Sequence, residues 1–226
     1  MKTLFILSLS LLHFGVFCQT STELLNKVVS KINTVKDYSA TAKISANIPM
    51  IKILPSQATI YFKQKNKFKV VSKGIVILPK QGFTDLNAFL SNSSKYQSLL
   101  GDTSVINSVK TVVITVIPKG DGNDIVLAKL WVDYTRSVIM KSQITSATNG
   151  SITTTFTYGD KVSFGLPTKM VFEIDVKKFK LPKSVAADIN QKKSLTPADT
   201  SKKGTITISL SDYAVNQGIN DSVFSK

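Results

Sequence analysis

The sequence predicts a mainly β fold with two or more helices, in which ten or so strands run in meander order and form one curved antiparallel sheet. Three observations lead there. The apolar period changes from helical to alternating just after Asp37 and stays alternating for most of the chain. The alternating stretches are rich in Val, Ile, Thr and Phe and are divided by turn signals such as Gly120-Asp121-Gly122-Asn123 and Asn149-Gly150. Hydrophobic residues make up 42% of the chain, enough for a core, and Cys18 is its only cysteine, so burial and not disulfide stapling must hold the fold.

Residues 1–18, MKTLFILSLSLLHFGVFC, have one Lys near the start and then an apolar run, the layout of a cleaved secretory leader. Val16 and Cys18 suit the cleavage positions and Gln19 becomes the new N-terminus; the alternative makes Cys18 a lipid-anchored first residue, which Phe17 disfavours by its bulk. Removal of 18 residues from 226 leaves 208, residues 19–226, read as a single domain. His13 and Cys18, the only histidine and cysteine, leave with the leader.

The first element of the remaining chain is a helix. Thr20 and Glu23 form a capping box, and Leu24, Leu25, Val28, Val29, Ile32 and Val35 make one apolar stripe through about Lys36. Strands are expected at Tyr38–Ile48, Ala58–Lys63, Lys67–Ser72 and Gly74–Leu78. The patch Met50 to Leu54, bracketed by Pro49 and Pro55, is not a central strand. A second helix is expected from a cap at Thr84, with Leu86, Phe89, Leu90, Tyr96 and Leu100 on one side and Gly101 as its stop. Its filler Ser91-Asn92-Ser93-Ser94 is poor helix material, which predicts a broken or mobile element. Strands resume at Lys110–Ile117, Asp124–Tyr134, Val138–Ser146, Ser151–Tyr158, Lys169–Val176 and Gly204–Leu210. Lys177 to Lys203, with lysine runs and two prolines, reads as a long surface loop.

Composition restricts the chemistry. Without imidazole or thiol, the domain has no general base of the His type, no thiolate nucleophile and no Cys/His set for zinc, so neither catalytic residues, nor a metal site, nor a cofactor is expected. The 14 carboxylates are scattered, mostly in turns. Glu173 and Asp175 alternate with Met170, Phe172 and Ile174 as exposed-face charges do. The net charge of +15 is almost all lysine, since Arg136 is the only arginine. Nucleic-acid readers use arginine forks and aromatic stacking, and neither is clustered here. Dispersed lysines fit a solvated face, with attraction to anionic headgroups as a second role.

One face of the expected sheet gathers Ile60, Phe62, Phe68, Val70, Val112, Ile114, Val116, Met140, Phe156, Tyr158, Met170, Phe172 and Ile174. Two helices cover only part of such a sheet. Either it closes on itself or a concave apolar surface remains for a ligand.

The order of these segments resembles the bacterial lipoprotein-carrier (LolA-type) superfamily and its outer membrane lipoprotein-sorting relatives. The resemblance rests on the helix Leu24-Leu25-Asn26-Lys27-Val28-Val29 leading into Val35-Lys36-Asp37-Tyr38-Ser39-Ala40, and on Ile60-Tyr61-Phe62-Lys63 with Asn66-Lys67-Phe68-Lys69-Val70. It continues in Leu130-Trp131-Val132-Asp133 and in Gly165-Leu166-Pro167-Thr168-Lys169-Met170. The ending, Tyr213 to Phe224, resembles tails of exported proteins from Bacteroidetes-type bacteria. The resemblance implies a half-open β-barrel lidded by helices, around an apolar cavity for acyl chains. It further implies a periplasmic, non-enzymatic carrier whose partners are a lipid or acylated lipoprotein and membrane-associated release and acceptor proteins. Carriers of the family use a cavity arginine to govern opening. Here that region offers Lys65, Lys67 and Lys69, and Arg136 lies after Asp133, so that role is not carried over.

The residues expected to line the cavity are Phe62, Phe68, Val70, Leu90, Trp131, Met140, Phe156 and Phe172, with the helix Thr84–Leu100 as a moving lid. The alternative expectation is an envelope sensor or interaction protein of the same fold whose cavity is filled by its own side chains.

Overall fold

A computed structural model describes residues 20–49, 53–65, 67–74, 76, 78–79, 85–120, 124–148, 150–175 and 203–225. The leader at 1–18, the cap at Thr84, most of the patch at 50–54 and all of the loop 177–203 except Lys203 lie outside the described residues, as do Asp121, Gly122, Asn123 and Asn149.

The chain opens with helix α1 (Ser21–Asn33), and its start follows the expected capping box. Thr20 Oγ1 accepts from the Glu23 amide at 3.2 Å, and the Glu23 carboxylate accepts from the Thr20 amide at 3.1 Å. Ten strands follow: β1 (Asp37–Asn47), β2 (Ser56–Lys63), β3 (Lys67–Ser72), β4 (Tyr96–Ile106), β5 (Val109–Pro118), β6 (Ile125–Asp133), β7 (Val138–Ser146), β8 (Gly150–Tyr158), β9 (Pro167–Asp175) and β10 (Lys203–Val215). They form one antiparallel sheet in the order β3-β2-β1-β10-β9-β8-β7-β6-β5-β4. The β1–β10 pair, third and fourth across the sheet, joins the first and last strands, with Ala42 opposite Leu210 and Ile44 opposite Ile208. β3 and β4 are the two free edges, so the sheet curls without closing.

Two expectations change. The second helix, α2, spans only Asp85–Leu90; a 3₁₀ turn at Ser93–Lys95 follows, and Tyr96 and Leu100 belong to β4. The serine-rich filler bonds to nearby groups, Ser91 Oγ to the Asn87 carbonyl at 2.7 Å and Ser94 Oγ to Asn92 Oδ1 at 2.6 Å. Such local bonds compete with helix continuation. β5 then offers a whole strand edge for pairing, which a short helix cannot match. At Gly74–Leu78 the described residues are in no strand. The Ser72 hydroxyl accepts from the Gly74 amide at 3.2 Å and turns the chain away after β3.

On the inner face a row of paired residues crosses the sheet: Ile206, Phe172, Thr154, Ser142, Leu130 and Ile114. Every member of that row has 0% exposure. α1 lies over this face and inserts Leu24, Leu25 and Val28 into the same core. Each such side chain contributes about 1.5–3 kcal/mol by leaving water. Ser21 Oγ donates to the Ser98 carbonyl of β4 at 3.1 Å, which fixes the start of α1 at one edge of the sheet. At its other end the Asn216 side chain accepts from the Lys36 amide at 2.7 Å and donates to the Thr34 carbonyl at 3.0 Å. α1 therefore fills most of the concave face and leaves one end of it open.

Candidate functional site

The open end is a cavity of about 570 Å³, within the ~300–1,000 Å³ span of small-molecule sites. It lies where β1, β3, β7 and β9 begin and β2, β8 and β10 end. The sheet supplies Tyr38, Phe62, Phe68, Phe156, Met170 and Leu210 as its floor and walls. α1 supplies Val28 and Ile32, and α2 supplies Leu86 and Ala88 with Asn87 and Ser91 beside them. The chain between β8 and β9 adds Gly165, Leu166 and Pro167. Gly165 ends a 3₁₀ turn at φ 69°, in the left-handed region, beside Ile32 of α1, so a side chain there would be strained.

Three tyrosines join Asn33, Gln64, Lys65, Asn87, Ser91 and Ser137 as the polar residues of this lining. Tyr158 donates to the Ile139 carbonyl and Tyr213 to the Pro167 carbonyl, each at 2.8 Å. Tyr38 stacks on Phe62 at 5.3 Å and tilts against Tyr213 at 5.6 Å. Burial pushes all three phenols above their ordinary range, and Tyr213 is pushed further by the phenols of Tyr38 and Tyr158. They stay neutral donors at any ordinary pH. Beside the rim, the Asp133 carboxylate accepts from the amides of Thr135 and Arg136 and from the Arg136 side chain. Burial raises its pKa, but these Arg136 and Thr135 bonds outweigh it and hold it below the usual carboxylate range.

Of the residues expected to line a cavity, Phe62, Phe68 and Phe156 line this one. Phe172 and Leu90 do not reach it; they are buried in the core, Phe172 one row behind Met170. Val70 packs against the core further along β3. Met140 is buried at the bulge where β7 shifts register against β6, and its sulfur accepts from the Arg136 guanidinium at 3.4 Å. Trp131 is on the opposite face: it alternates with fully buried Leu130 and Val132, and Lys141 sits 4.9 Å from its ring centroid.

The sequence reading missed Tyr38, Leu210 and Tyr213 as lining residues. Tyr38 is buried at the head of an expected strand, a signal that was available. Tyr213 was not, because β10 was expected to end at Leu210. A bulge opposite Ser39 and Thr41 adds a residue to β10 and returns Tyr213 to the inner face three positions after Leu210. Period two cannot show that. Among the described residues no group of acidic, His or Cys side chains could hold a metal ion, and no helix is long and apolar enough to cross a membrane.

No protein-family profile and no curated protein matches the chain by sequence. Solved structures do resemble it. A DUF1329 family protein from Desulfovibrio piger superposes with a TM-score of 0.59 at 15% identity, over 90% of this chain and 95% of the other. A domain assigned to outer membrane lipoprotein sorting from Vibrio parahaemolyticus gives 0.59 at 11% identity, over 90% and 95%. A LolA superfamily protein from Nitrosomonas europaea gives 0.58 at 13% identity, over 92% and 98%. At these identities the likeness is one of fold, and the fold is the LolA-like open barrel.

Proposed function

We propose that the protein is a non-enzymatic carrier of the bacterial envelope that shelters an acyl chain of a lipid or lipoprotein in the cavity between α1, α2 and the sheet. The observation that carries this reading is the cavity itself: about 570 Å³, walled by Phe62, Phe68, Phe156, Met170, Leu210 and the apolar stripe of α1. Each methylene that leaves water there contributes about 0.8 kcal/mol, so a long chain binds without any reacting group. Residues 1–18 are the cleaved leader that exports it to the periplasm, with anchoring through Cys18 as the alternative. Release and acceptor proteins at the two membranes complete the route.

A second reading has one observation in its favour. The Ile206 to Ile114 row is filled by the protein's own side chains and by α1, as in an interaction protein that needs no ligand. Native mass spectrometry of protein purified from a bacterial periplasm, followed by lipid extraction, separates the two. Carriage predicts a co-purifying acyl lipid near one per chain, and its loss in Ala88→Trp, which places an indole at the exposed rim of the cavity. A bare mass that takes up no added fatty acid refutes carriage and favours the interaction protein.

A further inference from the structure

The lining of the cavity carries more information than its apolarity. Its volume of about 570 Å³ holds on the order of twenty methylene-sized groups, if each takes about the 30 Å³ share of a water molecule. That is room for one long chain and not for several. Among the described residues no carboxylate lines it, and Lys65 is the one charged residue there.

Several charges near this end have partners. Asp221 holds Lys63 and Lys67, both at 2.7 Å. Arg136 is paired with Asp133, Lys161 with Asp160 at 3.1 Å, and Lys31 donates to the Arg136 carbonyl. Lys65 is exposed and makes no hydrogen bond or ion pair among the described residues. It also holds φ 68° in the β2–β3 turn, a conformation Gly or Asn adopts with less strain. Inside the cavity, Tyr38 is 8% exposed, and its hydroxyl has no partner among the described residues, while Tyr158 and Tyr213 both donate to carbonyls.

We infer that the cavity takes a single-chain amphiphile with an anionic oxygen head, a long-chain fatty acid, whose carboxylate is received by Lys65 at the rim with the Tyr38 hydroxyl as a second donor. This rests on the acyl-chain reading above and narrows it. The chain fills the apolar floor, and a carboxylate meets a cation and a neutral O–H with no competing acid among the described lining residues. Charge-assisted bonds of this kind are short and strong, and a cationic head gains none of them.

Equilibrium dialysis of the purified protein against laurate, dodecanol and dodecyltrimethylammonium tests the inference, because the three share one chain length and differ in head. Laurate should bind with a stoichiometry of one and most tightly, the alcohol less tightly, and the cation least. Lys65→Gln should weaken laurate by roughly three- to tenfold, the scale of one charge-assisted bond at a partly wet site, and weaken dodecanol by less. Tyr38→Phe, which removes only the hydroxyl, should weaken laurate by about two- to threefold and dodecanol by less. Both variants keep the ring stack and the turn, so thermal unfolding should match the parent protein. Equal binding of acid and alcohol, or a Lys65→Gln variant that holds laurate as before, overturns the inference and leaves the acyl-chain reading standing. No binding of any of the three overturns both.

Discussion

Replacing Thr154 with Val should stabilise the protein. Thr154 and Ser142 face each other across β8 and β7 on the inner face, both with 0% exposure. Neither hydroxyl has a hydrogen-bond partner among the described residues. A hydroxyl taken out of water without a partner costs about 1–3 kcal/mol on the scale of protein substitutions. Val keeps the branched shape and β preference of Thr, so the pairing opposite Phe172 is retained while that cost disappears. The expected gain is about 1 kcal/mol or more, which raises Tm by about 2–4 °C per kcal/mol for a domain of this size. Urea denaturation should show a higher midpoint at unchanged slope. Ser142→Ala should gain less, since it leaves a small void. The double substitution decides the reasoning. If the two hydroxyls bond each other in solution, Thr154→Val alone destabilises by about 1–3 kcal/mol and Ser142→Ala added to it restores the loss. That pattern would refute the argument.

Three further outcomes follow from buried groups. Asp133→Asn should lower stability at pH 7 by about 1.5–3 kcal/mol, because it removes the charge that accepts from Arg136 and Thr135. The folded pKa of Asp133 lies below its unfolded value of about 4, so this stability is complete above pH 4 and is lost as pH falls through the folded pKa. Parent and variant should converge in acid, and a deficit that is the same at pH 2 and pH 7 would contradict it. Phe172→Ala should cost about 3–5 kcal/mol by urea denaturation, since the ring has no exposure. Phe172→Asp would bury an unpaired charge in that position and unfold the domain.

Much of the fold was legible in the residues. Thr20 and Glu23 announced the start of α1, and the change of period after Asp37 announced the sheet, because both signals act over a few neighbouring residues. The apolar face was legible for the same reason: Met170, Phe172 and Ile174 alternate with Lys169, Val171 and Glu173, and alternation alone assigns them to one side. Trp131 was misassigned although the same rule applied, because its size suggested the interior while its parity with Lys129 pointed outward.

The sequence by itself determined a β-rich chain with no His or Cys after residue 18, one capped helix and one apolar sheet face. Only the tertiary structure decided which part of that face stays open. α1 is tethered at Ser98 and held at its far end by Asn216, 180 residues from Lys36, and its placement fills the central row and spares the end near Tyr38, Phe156 and Leu210. Tertiary pairing also turned Tyr96 and Leu100 into an edge strand beside β5, and a bulge brought Tyr213 inward. Each of these depends on residues distant in sequence meeting in space. Local period and propensity carry no record of that.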